Sequence, residues 1–141
     1  MPYLEVIQKT LRDSIAIMSA WRRKALEYLP SCRNTIQHAD SASFLWCELS
    51  CDFRNAVKKN DQTFVDGTLK YLRWCTGNTA SKEIQQAVYC GFLEDISHDK
   101  SYWPYFKDWF SKAEFEQYKG SFSYSLSEND LKSLEDDLYG R

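Results

Sequence analysis

Seven side chains in this sequence are of the kinds that hold metals or attack substrates: Cys32, Cys47, Cys51, Cys75, Cys90, His38 and His98. Cys47 and Cys51 are four apart and share one face of a helix. Two thiolates so placed can help to bind zinc, but a closed site needs roughly four ligands. The remaining cysteines and both histidines are scattered without paired spacing. Burial as ordinary core residues is the simpler account of the free cysteines. His98 follows Glu94 and Asp95 and precedes Asp99. A dyad with a cysteine is conceivable there. A position at a helix C-terminus, where a partly charged imidazole favours the dipole, explains the same residue without catalysis. No pair of carboxylates recurs on one inner face. There is no phosphate-binding loop and no nucleophile elbow. The expectation is a protein that is not an enzyme and carries no metal or other cofactor.

The elements that position these groups are helices. Leu4, Ile7, Leu11, Ile15, Met18, Ala25 and Leu29 recur at three- and four-residue steps, which predicts one long helix over 3–29, straight or bent. Pro2 suits its start and Pro30 its end. Residues 31–40 are polar and read as a loop or a short turn of helix. Asp40 or Ser41 can cap a second helix, running to about Asn60, with Leu45, Leu49, Phe53 and Ala56 inward. Asp61 begins a third, with Val65, Leu69, Leu72 and Cys75 inward, and Thr76-Gly77-Asn78 breaks it. Thr79 or Ser81 caps a fourth, whose stripe is Ile84, Val88, Phe92 and Ile96. Ala87 and Gly91 leave room there for a close neighbour.

An aromatic stretch follows: Tyr102, Trp103, Tyr105, Phe106, Trp109 and Phe110. Six rings in nine positions exceed one inward face. Most belong to the core, and the remainder to the rim, where Trp and Tyr serve as interface anchors. Ser111 and Glu114 have the form of a capping box opening a short helix with Phe115 and Tyr118 on its apolar side. Gly120 to Ser127 reads as a Ser-rich loop, and Ser127 caps a last helix with Leu131, Leu134 and Leu138 inward. No convincing strand is present. The fold class is therefore all-α, one domain over 1–141, a bundle or short repeat-like stack of about six helices.

The 141 residues suffice to close one hydrophobic core, and an aromatic content of 16% argues against disorder. A net charge of −2 does not favour a nucleic-acid partner. The charge is uneven. Residues 1–60 hold 9 Lys/Arg and 6 Asp/Glu, or +3, whereas residues 61–141 hold 9 and 14, or −5. An acidic face built from the second half follows, either as a binding surface or as a solvated one. Charged residues interrupt the N-terminal stretch, so it does not read as a signal peptide. No segment nears the ~18 apolar residues of a membrane span. Five irregularly spaced cysteines make a poor disulfide framework, and the expected compartment is the cytosol, with no membrane partner.

The run Ala87-Val88-Tyr89-Cys90-Gly91-Phe92-Leu93-Glu94-Asp95-Ile96 resembles a recurring piece of small bacterial immunity proteins, which accompany polymorphic toxins delivered between competing bacteria. In several such families an Ala-Val, three residues, Phe-Leu-Glu helix follows a helix with a Trp near its end. Trp74 stands at that place here, after Leu69-Lys70-Tyr71-Leu72-Arg73, and a Trp-containing acidic stretch follows around Trp103 and Trp109. The resemblance covers roughly residues 62–110. It implies an antitoxin-like protein that binds a cognate toxin domain tightly and blocks its active site by shape and acidic charge. The candidate contact residues are Glu94, Asp95, Asp99, Trp103, Asp108, Glu128, Asp130, Glu135, Asp136 and Asp137. The acids would meet toxin Arg and Lys, and Trp103 would anchor. Two rivals stand beside this reading: a helical adaptor or chaperone for a secretion-system component, and a metal- or thiol-dependent enzyme built on Cys47 or Cys51.

Overall fold

Helices carry most of the described residues in the computed structural model, which describes residues 3–7, 19–77 and 81–140; no strand occurs among them. Beyond a helical stretch at 3–7, the order is α1 (Ala20–Tyr28), a 3-10 turn (Pro30–Cys32), α2 (Arg33–His38), α3 (Ala42–Lys58) and α4 (Gln62–Gly77). Then come α5 (Lys82–Val88), a π-helical turn (Tyr89–Leu93), α6 (Glu94–Ile96), a 3-10 turn (Lys100–Tyr102), α7 (Trp103–Trp109), α8 (Lys112–Ser125) and α9 (Glu128–Tyr139). The protein is all-α. From Ala20 onward nine α-helical segments are described where about six were expected for the whole chain, because the polar 31–40 stretch and the aromatic run each make a helix, and a π turn divides the fourth.

Side-chain caps set several boundaries. Ser41, Ser81 and Ser127 accept from the backbone N–H of Phe44, Ile84 and Asp130, so each satisfies a donor the helix leaves free. Ser111 and Glu114 form the full capping box at the start of α8. The carbonyls at the end of α2 receive Arg22, whose guanidinium donates to Ile36, Gln37 and Ala39 at 2.6, 3.1 and 3.0 Å. A cation at a helix C-terminus also suits the dipole.

The fourth stripe explains the π turn. Ile84, Val88, Phe92 and Ile96 repeat at strict steps of four. On an α-helix each such step advances about 40°, so three steps would swing Ile96 about 120° from Ile84. The wider winding of Tyr89–Leu93 absorbs that drift, and all four side chains are buried. Ala87 and Gly91 follow the same spacing and face α3. A Cβ on Gly91 would lie 2.8 Å from Trp46 Cβ, 2.9 Å from Ser43 O and 3.2 Å from Cys47 N, so only glycine permits this approach.

Aromatic rings fill the core. Trp46 stacks on Tyr71 and meets Phe92 edge-on, both at 5.1 Å. Phe92 and Phe53 continue to Trp109 at 5.4 and 5.5 Å. Phe106 joins this group to Phe122, and Phe122 stacks on Phe115. Each buried ring contributes about 1.5–3 kcal/mol of transfer free energy, with offset and edge-on pairing adding to it. The Tyr71 hydroxyl donates to Trp21 O at 2.8 Å and ties α4 to α1. The indole N–H of Trp46 is buried without a hydrogen bond among the described residues; the Cys75 sulfur beside it is a weak acceptor.

Three expectations are corrected. The 3–29 helix is broken at Ser19, which is extended and precedes α1. Leu4 and Ile7 are exposed and not part of a buried stripe; Leu11, Ile15 and Met18 lie outside the described residues. The supposed loop from Gly120 is helical as far as Ser125. Phe122 is fully buried there, and Ser123 and Ser125 donate back to the carbonyls of Gly120 and Phe122. Tertiary packing thus overrides weak local propensity. No described helix is long and apolar enough to cross a membrane.

Candidate partner-binding surface

The acidic residues of the second half fall into two patches carried by different elements. The first is α9, which packs on α7 and α8. Ser127 caps it, and Glu128 and Asp130 sit in its first turn, where carboxylates favour the positive end of the dipole. Glu135 pairs with Lys119 of α8 at 2.8 Å, which also holds the ammonium above its usual range. Asp136 and Asp137 stand exposed near the C-terminal end of α9. Carboxylates there oppose the dipole, at a cost of about 0.3–1 kcal/mol each. Of the five carboxylates on α9, only Glu135 makes an ion pair among the described residues; Glu128, Asp130, Asp136 and Asp137 make none. The Tyr139 hydroxyl lies 3.3 Å from the carbonyls of Phe110 and Ser111, which pins the end of α9 to the α7–α8 junction.

The second patch gathers Glu94, Asp95 and Asp99 around the end of the α5–α6 rod. Asp95 accepts from Arg54 Nη2 at 2.7 Å and from Ser50 Oγ at 3.3 Å. The Arg54 guanidinium lies 5.4 Å from the centre of the Tyr102 ring. Asp99 accepts from the Ser101 hydroxyl at 2.6 Å and from its backbone N–H at 3.0 Å. Those two bonds, with a smaller contribution from Arg54, hold its carboxyl below the usual range. Arg54 therefore offsets part of this patch, and nothing in the sequence announced a partner 41 positions from Asp95. Glu94 remains exposed. Asp108 is exposed at the end of α7, and its backbone carbonyl accepts from Arg73 at 3.1 Å.

Trp103 does not reach the surface. It is 5% exposed, and its indole N–H donates to Ser97 O at 2.8 Å. The 3-10 turn Lys100–Tyr102 re-phases the chain so that Trp103 faces inward, and only Tyr105 of the six rings is half-buried. Its expected role as an anchor is corrected on that ground: the ring belongs to the core.

The thiols divide by burial. Cys32 and Cys75 are buried; Cys47, Cys51 and Cys90 are exposed, and all five are free. Burial pushes the Cys75 thiol up to about 12. Burial, and then the charge of Asp52, raise that of Cys32. His38 Nδ1–H donates to Asn34 O at 2.8 Å, and His98 is exposed in the turn after α6. Among the described residues no group of three or more His, Cys, Asp or Glu is placed to hold a metal ion.

Residues 22–124 match a family described as a domain of unknown function, DUF7674. No curated protein and no solved structure matches the chain.

Proposed function

We propose that this chain, which belongs to the DUF7674 family, binds a cognate secreted toxin domain and neutralises it by covering the active site. The observation that carries the reading is α9. It holds five carboxylates against one lysine, and two of the five, Asp136 and Asp137, weaken their own helix and balance no cation among the described residues. Charge retained against local stability is better explained by an external cationic partner than by folding. Arg- and Lys-rich clefts of enzymes that act on phosphate-bearing substrates are such partners, and acidic surfaces speed association with them. Glu128, Asp130 and Glu135 extend the stripe, and Glu94, Asp95, Asp99 and Asp108 supply further negative field.

The experiment is co-purification with the toxin domain encoded immediately upstream, together with protection of cells expressing that toxin. The paired change Asp136→Lys and Asp137→Lys should slow association at least tenfold at low salt, and the loss should shrink as salt rises. Failure of the native pair to bind, with no protection, would sink the proposal.

A further inference from the structure

A half-open cleft of about 630 Å3 lies between the α5 and π-turn segment on one side and α8 on the other. That volume is within the range of about 300–1,000 Å3 usual for ligand sites. Its lining includes Lys82, Gln86, Tyr89, Gln117, Tyr118 and Tyr124. The Tyr89 hydroxyl bonds to Ser121 O and Ser125 Oγ, so the α8 wall is fixed to the π turn and the cleft is preformed. Tyr124 stands at it with 93% of its surface exposed, an aromatic face covered by nothing.

The lining is unusual for an acidic chain. No aspartate or glutamate contributes to it, and Lys82 is its one charged residue. The Gln86 and Gln117 amides and the phenols of Tyr118 and Tyr124 can donate as well as accept, the Lys82 ammonium only donates, and the Tyr89 hydroxyl is already bonded to Ser121 O. A chain that offers carbonyls to these donors and flat apolar faces to the tyrosine rings complements this lining. A polyproline II segment has those properties. Its carbonyls are unpaired, each proline lacks an N–H, and the rings pack on aromatic side chains. A phosphate-bearing ligand fits less well, with a single cation to meet it.

We propose that this cleft docks a short proline-rich peptide, its rings against Tyr118 and Tyr124 and its carbonyls accepting from Gln86 and Gln117. The proposal uses none of the acidic contact residues, so it and the toxin reading can fail independently. The test is a titration of the isotope-labelled full chain with octaproline, with a Gly-Ser peptide of equal length and inorganic phosphate as comparisons. Octaproline should give saturable shifts at the backbone amides of Gln86, Tyr89, Gln117, Tyr118 and Tyr124. Tyr124→Ala should weaken binding roughly fivefold or more, as loss of an aromatic anchor does. Gln117→Glu, which adds an acceptor-only group, should also weaken it. Both side chains are exposed, so spectra elsewhere should stay unchanged. No saturable shift at millimolar octaproline, an equal response to the Gly-Ser peptide, or a response to phosphate alone would overturn the proposal.

Discussion

Gly91→Ala is the sharpest perturbation of this fold. The added methyl would meet Trp46 Cβ at 2.8 Å and the backbone atoms Ser43 O and Cys47 N at 2.9 and 3.2 Å. Two of those three atoms are main chain of α3 and cannot rotate away. To restore ordinary contact near 3.4–4 Å, the π turn must part from α3 by about 0.5–1 Å. A gap of that size forfeits about a quarter to a half of the dispersion well for each contact along the seam. Overpacking of this kind costs about 1–3 kcal/mol, and alanine returns up to about 1 kcal/mol of helical propensity. The expected net loss is about 1–2 kcal/mol, or a fall in Tm of several degrees for a chain of this size. Urea unfolding followed by tryptophan fluorescence measures it. Gly120→Ala is the control, since Gly120 lies within α8 and nothing would stand within 4 Å of its Cβ. It should gain about 0.5–1 kcal/mol. If Gly91→Ala is as stable as the native chain while Gly120→Ala gains, the close-approach argument is refuted.

Three further outcomes are expected. A thiol reagent should titrate three cysteines rapidly in the native protein, Cys47, Cys51 and Cys90, and reach Cys32 and Cys75 only after denaturation; five fast thiols would contradict the burial pattern. Burial, then the charge of Glu48, raise the Asp52 carboxyl above its usual value. The folded state therefore holds that proton longer than the unfolded chain, and stability falls as pH rises through the interval between the two values. Asp52→Asn should accordingly raise Tm at pH 7 and lose that advantage below about pH 3.8; no gain at neutral pH would count against it. Trp103→Phe removes the donor to Ser97 O in a buried setting and should cost about 1–3 kcal/mol in denaturant melts, whereas an indole serving a partner surface would leave those melts unchanged.

What the sequence revealed and what it hid separate along a physical line. Caps and breaks are local, so Ser41, Ser81, Ser111 and Ser127 could be read from the residues beside them. Inward stripes were legible wherever a complementary surface exists, as for Leu45, Leu49, Phe53 and Ala56. Periodicity states that a face is apolar and not that anything covers it, and Leu4 and Ile7 mark that limit. The π turn stood in plain view as a strict four-residue repeat from Ile84 to Ile96. Its effect on phase, which sets where Tyr89 and Cys90 emerge, emerges only when the drift is worked through. The acidic residues were visible as charge, but which of them are already neutralised depends on contacts between distant elements. Arg54 reaches Asp95, and Lys119 reaches Glu135. On α9, setting aside the paired Glu135 and the two carboxylates that suit its N-terminal end, Glu128 and Asp130, leaves Asp136 and Asp137 as those with least structural reason to be there. A partner that depends on them should therefore be lost by reversing charges on α9, while reversing Asp95 should first disturb the contact between α3 and α6.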